Sequence, residues 1–447
     1  MQTLSSFFQG KGKQPLYRLV ATVLWWAAVV ASAAPTFPLK GIVLWPDEAR
    51  DHPELTDSIS LEFSYVTPSS LVKDAAPDGS PAIDWKPLEK LLDDIASRGH
   101  QAILRFRYAY PGEKLPEFPG KRGATGVPKY IKALPNYRET FAQNPGGDGP
   151  TYYPDWSHPA LTDFTMRFFR AFAERYDADP RLAFLEVGFG HWGEYHTHGT
   201  EVKLGKNFPS KAFQKSFMEM LSGAMHETPW MVSIDAAQTK YSDLADNPEL
   251  TALPFGLFDD SFMHEEHDIA QGEGWNEQSW RRFAPDRWRR APCGGEISYY
   301  DKRDQREFLS PKGLYGVTWK QAAAKYHITF MIGNDSVTGK FATSKRLLEA
   351  AAECGYAFHL AGARTEGNAL IAEIANDGVA PLYHNASPAV ETTNGEIKAA
   401  GSLAGLLPGE TRTFRLEFPG KPPADATKRL RIVSPKLLPG AILPLAR

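Results

Sequence analysis

The chain has 447 residues, 42% of them hydrophobic and 23% charged, with a formal net charge of -3. This balance suits a globular protein with one barrel-sized domain and a smaller companion, and it argues against a basic nucleic-acid binder. Aromatic residues make up 12%, with 11 tryptophans. Stacking on sugar faces in a cleft therefore competes with plain core filling as their explanation.

Residues 1–33 read as a secretory signal. Lys11, Lys13 and Arg18 precede the apolar run LVATVLWWAAVVA (19–31), and ASA (31–33) offers a small-residue cleavage site. The run is short of the about 20 residues a membrane helix needs, so an uncleaved anchor is the lesser alternative. Removal leaves 47 basic against 53 acidic residues. The expected location is secreted or periplasmic, with no nucleic-acid partner and no membrane contact once the signal is gone. Cys293 and Cys354 are the two cysteines. They could pair in an exported chain, but a large core favours two buried thiols.

Eight strand candidates follow in order: LKGIVLW (39–45), ISLEFSYV (59–66), HQAILRFRYAY (100–110), LAFLEVGFG (182–190), WMVSID (230–235), FGLFDDSF (255–262), GGEISYY (294–300) and HITFMIG (327–333). Helical spacing of apolar residues marks 84–99, 158–176, 210–225, 275–290, 316–325 and 344–355 between or after them. Residues 111–158 are rich in Gly, Pro and Tyr and read as a long functional loop. Alternation of this length predicts an α/β fold, a (β/α)8 TIM barrel over 34–355. An open doubly wound sheet would carry a Gly-rich phosphate turn after its first strand, and VLWPDEA is not one. From 356 to 447 the pattern changes to short alternating strands between Gly, Asn and Pro turns, which predicts a β-sandwich.

In a barrel, residues at the C-terminal strand ends face the active site. The polar and aromatic candidates there are Trp45 and Asp47, Tyr65, then Arg105, Arg107 and Tyr108 after strand three. Glu186, His191, Trp192, Glu194 and His196 follow on strand four. Asp235, Asp259 and Asp260, Glu296, and Asn334 and Asp335 complete the ring. Carboxylates after strands four and seven stand across the mouth, as glycoside hydrolysis requires: one group protonates the leaving oxygen and the other attacks, or activates water. Glu194 in GHWGEYH and Glu296 in CGGEISYY are the catalytic candidates. Trp45, Arg105, Arg107, Tyr108, Trp192, His196, Asp235, Asp259, Asp260 and Asn334 are the substrate-binding candidates. Arg105 and Arg107 share one strand face and could hold an anionic substrate or pair with the carboxylates.

The segments LEVGFGHWGEYH, GLFDDSF, GGEISYY and AEIANDGVAPLYHN resemble a bacterial family of secreted glycosidase-like proteins of unknown function over about 39–445. Strand order is distantly similar to the clan-A glycoside hydrolases. That resemblance implies Glu194 as acid/base, Glu296 as nucleophile and a retaining mechanism, on a carbohydrate substrate. One departure is Gly193 before Glu194, where clan-A enzymes usually carry Asn. Two other readings stay open. His191, Glu194, His196 and His198 could ligate a divalent ion in a polysaccharide lyase, although HEEHD (264–268) misses the H-E-x-x-H spacing. A non-catalytic carbohydrate-binding protein could also use this scaffold. The expectation is that no metal or other cofactor is required.

Overall fold

The structure, a computed structural model, describes residues 37–76, 79–266, 274–283, 285–333, 335–393 and 395–447. The signal segment and Asn334 lie outside the described residues. No helix among the described residues is long and apolar enough to cross a membrane.

Each apolar run forms a strand: β1 (Gly41–Val43), β2 (Leu61–Val66), β3 (Gln101–Phe106), β4 (Leu182–Val187), β5 (Trp230–Ser233), β6 (Gly256–Phe262), β7 (Cys293–Ile297) and β8 (Phe330–Ile332). They pair side by side in chain order, all parallel, with β8 returning to β1. A bridge between Leu44 and Glu62 closes the circle. The expected (β/α)8 barrel is therefore present. Its strands are buried on both faces, so they read in sequence as apolar runs rather than alternating ones.

The outer layer includes α1 (Lys86–Ser97), α2 (Pro159–Tyr176), α3 (Lys211–Ser222), α4 (Trp275–Arg282), α5 (Trp319–Tyr326) and α6 (Ser344–Ala352). Leu88, Leu92 and Ile95 of α1 and Phe164, Phe168 and Phe172 of α2 form the inward stripes that the helical period dictates. The β1–β2 connection holds a six-residue helix, Pro46–Asp51, and a six-residue 3-10 segment, Pro53–Ser58. Segments this short leave no periodic signature, and the sequence pattern missed both.

The C-terminal strands are β9 (Phe358–Glu366), β10 (Ala369–Asn376), β11 (Ser387–Thr392), β12 (Gly395–Lys398), β13 (Thr411–Glu417), β14 (Leu430–Val433) and β15 (Leu445–Ala446). They make a four-stranded sheet, β13-β10-β9-β15, and a three-stranded sheet, β12-β11-β14. Leu370, Ile374 and Leu416 of one share a core with Val390, Leu430 and Ile432 of the other. That core runs on into the barrel lumen through Tyr356 and Phe358 to Phe184, Phe258 and Phe330. His384 packs its ring on Phe184, 5.0 Å between centroids, and shares a 2.8 Å hydrogen bond with the Ala183 carbonyl. Lys436 donates to the carbonyls of Asp177 (2.8 Å) and Asp179 (2.7 Å) on the barrel side. The sandwich thus plugs the N-terminal end of the barrel, which leaves the C-terminal mouth for chemistry. Cys293 and Cys354 are buried, unpaired thiols.

Candidate functional site

The segment after β4 folds back on itself because glycines let the backbone touch. A Cβ at Gly188 would lie 1.9 Å from the Gly193 oxygen, and one at Gly190 would lie 2.1 Å from the His196 oxygen. Trp192 (φ 53°) and Gly193 (φ 78°) both take the left-handed conformation that reverses the chain. The amides of Phe189 and Gly190 both donate to the Glu194 carbonyl (3.2 and 2.8 Å), and His191 donates to that of His196 (2.8 Å). Asp148, from the long loop after β3, staples the turn: its Oδ2 pairs with His191 Nε2 at 2.8 Å and accepts from Trp192 Nε1 at 3.1 Å. Burial works against ionisation of Asp148, but these two hydrogen bonds outweigh it and hold its pKa below the usual carboxylate range. His191 is therefore a buried strut, and Tyr195, fully buried against Phe189 and Phe208, is core.

This turn delivers Glu194 to the mouth of the barrel, where four carboxyl groups surround one guanidinium. Arg105 donates from Nε to Glu186 (2.7 Å) and makes a two-pronged contact with Asp260, the Nη2–Oδ1 arm at 2.8 Å. Glu296 joins them from β7. Among these six buried groups, Arg105 and Arg107 supply two positive charges against Glu186, Glu194, Asp260 and Glu296, so not all four carboxyls can ionise together. The pKa directions follow. Burial raises Glu186 to about 7 against the pull of Arg105. Glu194 is raised well above its ordinary value by burial, then by the charges of Asp260 and Asp235, and it hydrogen-bonds Asp260. Burial also lifts Glu296, with Asp260 adding and Arg105 opposing.

Gly295 (φ 139°) explains the second glycine of CGGE. A Cβ there would sit 2.0 Å from the Asp259 oxygen and 2.5 Å from its nitrogen. Gly294 leaves room for the Phe330 ring, which a Cβ would meet at 2.6 Å. We expect Gly295→Ala to push β7 off β6 and yield little folded protein. Gly120→Ala, where nothing lies within 4 Å, should match the parent. Soluble yield and melting of the two variants check this, and a stable Gly295→Ala would contradict the packing described.

A cavity of about 1020 Å³ opens above the carboxyl cluster. Of the residues named from the sequence, Glu194, Asp260, Asp235, His196 and Trp192 line it. His196 Nδ1 donates to Asp235 Oδ2 at 2.6 Å and lies 3.7 Å from Glu194 Oε2. Burial would raise the Asp235 carboxyl, but the bond from His196 leaves it below the usual range. Glu194, His196 and Asp235 present ligand atoms within 4.8 Å of one another, so they are the residues here that could hold a divalent ion.

Several expectations about direction need correction. Tyr108 faces outward: its hydroxyl meets Thr165 Oγ1 at 2.7 Å and its ring packs on Trp156. Asp259 lies one residue from Asp260 and so on the opposite strand face. It receives Asn276 Nδ2 (2.5 Å) and Trp280 Nε1 (3.3 Å), anchoring α4, and burial raises its pKa to about 7. Arg105 is fully buried and bonded to Glu186 and Asp260, with a longer contact to the Trp192 carbonyl, and it does not line the cavity. Arg107 is also fully buried, its guanidinium over the rings of Tyr65 (3.5 Å) and Tyr110 (4.0 Å). Trp45 packs against Phe63 and Tyr65 at the β1 side of the mouth, outside the cavity wall. Glu296 is buried beneath that wall rather than on it. Tyr299 bridges the two glutamates electrostatically. Its hydroxyl is pushed up first by desolvation and then by Glu194 and Glu296, although the ring remains 44% exposed. The sequence reading missed Asp148, Tyr299, Tyr300 and Trp275. The adjacent tyrosines after GGEIS were the visible signal for two of them.

No family model and no curated protein matches the chain. Among solved structures, one described as a glycoside hydrolase aligns over 71% of this chain and 98% of its own, at 11% identity and a TM-score of 0.36. GH5_18 from Bifidobacterium longum subsp. longum ATCC 55813 aligns over 70% and 74%, at 8% identity and a TM-score of 0.37. A trimodular GH5_4 subfamily endoglucanase aligns over 94% and 79%, at 12% identity and a TM-score of 0.38. Likeness this remote has no bearing on which residues of this chain react.

Proposed function

We propose that the protein is a glycoside hydrolase acting on an oligo- or polysaccharide, with Glu194 as proton donor and Glu296 as the opposing carboxylate, and with retention of anomeric configuration. The observation that carries this reading is the Glu194 carboxyl itself. It lines the cavity at the C-terminal mouth of the barrel, and burial and the carboxylates beside it push its pKa well above the usual range, toward the neutral form. A neutral carboxyl poised in this way is what a general acid requires. In the reaction Glu194 gives its proton to the glycosidic oxygen as the bond to the anomeric carbon breaks. Glu296, whose pKa burial lifts while Arg105 and Arg107 pull the other way, adds to that carbon in its ionised form. Glu194, now a base, takes a proton from the water that displaces Glu296.

A second reading has one observation in its favour, the Glu194–His196–Asp235 cluster, which suits a metal-dependent lyase. The distinguishing experiment assays the protein on a panel of neutral and acidic polysaccharides before and after exhaustive chelation. The hydrolase reading expects reducing ends without unsaturation and turnover that survives chelation. Unsaturated products, or turnover lost and then restored by one divalent ion, would favour the lyase.

The signal-like segment supports a further proposal, that the chain is exported and matures near Ala34. The mass of the secreted protein tests it, and retention of residues 19–31 would favour a membrane anchor instead.

A further inference from the structure

Six large hydrophobic side chains stand exposed among the described residues, and three of them, Trp275 (59%), Tyr299 (44%) and Tyr300 (64%), lie on the wall of the one cavity described above. The rings of Tyr299 and Tyr300 are nearly parallel, 13° apart with centroids at 5.6 Å. Trp275 opens α4, and Gln278 and Ser279 of the same helix turn toward the cavity beside it. Exposed aromatic surface concentrated at one rim marks a binding site, because leaving it in water is unfavourable. The wall pairs flat apolar faces with neutral amide and hydroxyl groups. A sugar ring has the matching chemistry, with C–H groups on its faces and hydroxyls around its edge.

Charge narrows the class. Beside Glu194, a neutral acid in the reading above, the wall carries three aspartates, Asp148, Asp235 and Asp260, the first two paired with His191 and His196. Of its two cations, Arg282 is held by Asp246 at 2.7 Å and Lys240 lies against the Tyr241 ring. Arg105 is buried beneath it and paired with Glu186 and Asp260, and Arg107 is buried beneath it under the Tyr65 ring, its Nε and Nη1 without a hydrogen-bond partner, and neither is on the wall. A chain of acidic sugars would meet mostly like charge. The volume of about 1020 Å³ is at the top of the range for small-ligand sites and leaves room beyond a disaccharide.

We infer that Tyr299, Tyr300 and Trp275 form a stacking platform for a neutral saccharide chain, which runs from Glu194 outward over the first turn of α4, so that the substrate is a neutral polymer or long oligosaccharide rather than a uronic-acid or sulfated one. The inference rests on the carbohydrate reading above and names the substrate class for the same site.

Calorimetry on the full chain carrying Glu194→Gln tests it. The probes are hexasaccharides of glucose, xylose or mannose units, their disaccharides, and hexagalacturonate as the acidic comparator. At least one neutral hexasaccharide is expected to bind about tenfold or more tighter than its disaccharide, with hexagalacturonate weaker than both. Adding Trp275→Ala or Tyr300→Ala should each weaken that hexasaccharide about tenfold, and Trp275→Phe should restore most of the loss. Melting is measured alongside, because Tyr300 also packs on the His264 ring at 5.0 Å and bonds Ser261, and if Tyr300→Ala melts lower the Trp275→Ala and Trp275→Phe pair decides. Unchanged hexasaccharide affinity in both variants, or a preference for hexagalacturonate, overturns the platform. If the parent still cleaves neutral chains, only the platform falls. If the parent neither binds nor cleaves any saccharide of the panel, the carbohydrate reading falls with it.

Discussion

Glu194→Gln should lower kcat on an unactivated oligosaccharide by about 10²–10⁴-fold, the usual worth of a positioned general acid. The glutamine keeps the shape and the hydrogen bond toward Asp260 but has no proton to give. The loss should shrink sharply on an aryl glycoside whose leaving group departs without protonation. The pH profile carries a second sign. Because burial and the Asp260 and Asp235 carboxylates raise the Glu194 pKa, the acid form persists well above the usual carboxylate range. Wild-type turnover should fall as pH rises through that raised value. The variant should lack this alkaline limb while keeping the one that reports ionisation of Glu296, which burial also shifts above the usual carboxylate range. A variant with wild-type kcat, or with the alkaline limb intact, would remove Glu194 from the role.

Arg105→Leu should destabilise the fold by about 3–5 kcal/mol near neutral pH, because it strips the counter-charge from buried Glu186 and Asp260. The cost should depend on pH in a definite direction. In the wild type the Glu186 pKa is raised to about 7, so its contribution to stability is complete below the unfolded-state value and is lost as pH rises toward 7. Without Arg105 the Glu186 carboxyl favours the neutral form still more. The deficit measured by chemical denaturation should therefore be smallest near pH 4 and grow toward pH 8. A deficit that does not change with pH would mean that Arg105 matters for packing alone, through its contact with Phe258 at 4.1 Å. The expected dependence would also show why the Arg105 guanidinium is buried: it makes the Glu186 and Asp260 carboxyls tolerable inside a barrel.

The barrel was legible because parallel strands buried on both faces leave apolar runs such as LKGIVLW and HITFMIG, and Phe stripes such as those of α2 leave the helical period. The placement of Glu194 beside the mouth was legible for the same reason: it follows one such run, with glycines that allow a sharp reversal. Facing was harder. Period two assigns opposite faces to Asp259 and Asp260, but the pattern does not say which one points inward, and the Asn276 and Trp280 side chains that claim Asp259 lie 17 and 21 residues away. Tyr108 sits just beyond the last residue of β3, where strand phase no longer applies, and Thr165 of α2 captures its hydroxyl. The Asp148 staple spans more than 40 residues from a loop with no periodic pattern, so nothing local announces it. Trp275 became interpretable only when α4 was seen to start at the cavity rim.

The central claim is that Glu194 and Glu296 form the reacting pair, and azide tests it most directly. The small anion can take the place of the missing carboxylate or of the attacking water. On an activated aryl glycoside, Glu194→Ala with azide should regain turnover and give a glycosyl azide of retained configuration, because azide intercepts the Glu296 adduct. Glu296→Ala with azide should give the opposite anomer, because azide then attacks the sugar itself. Rescue of neither variant, or the same anomer from both, would contradict the assignment.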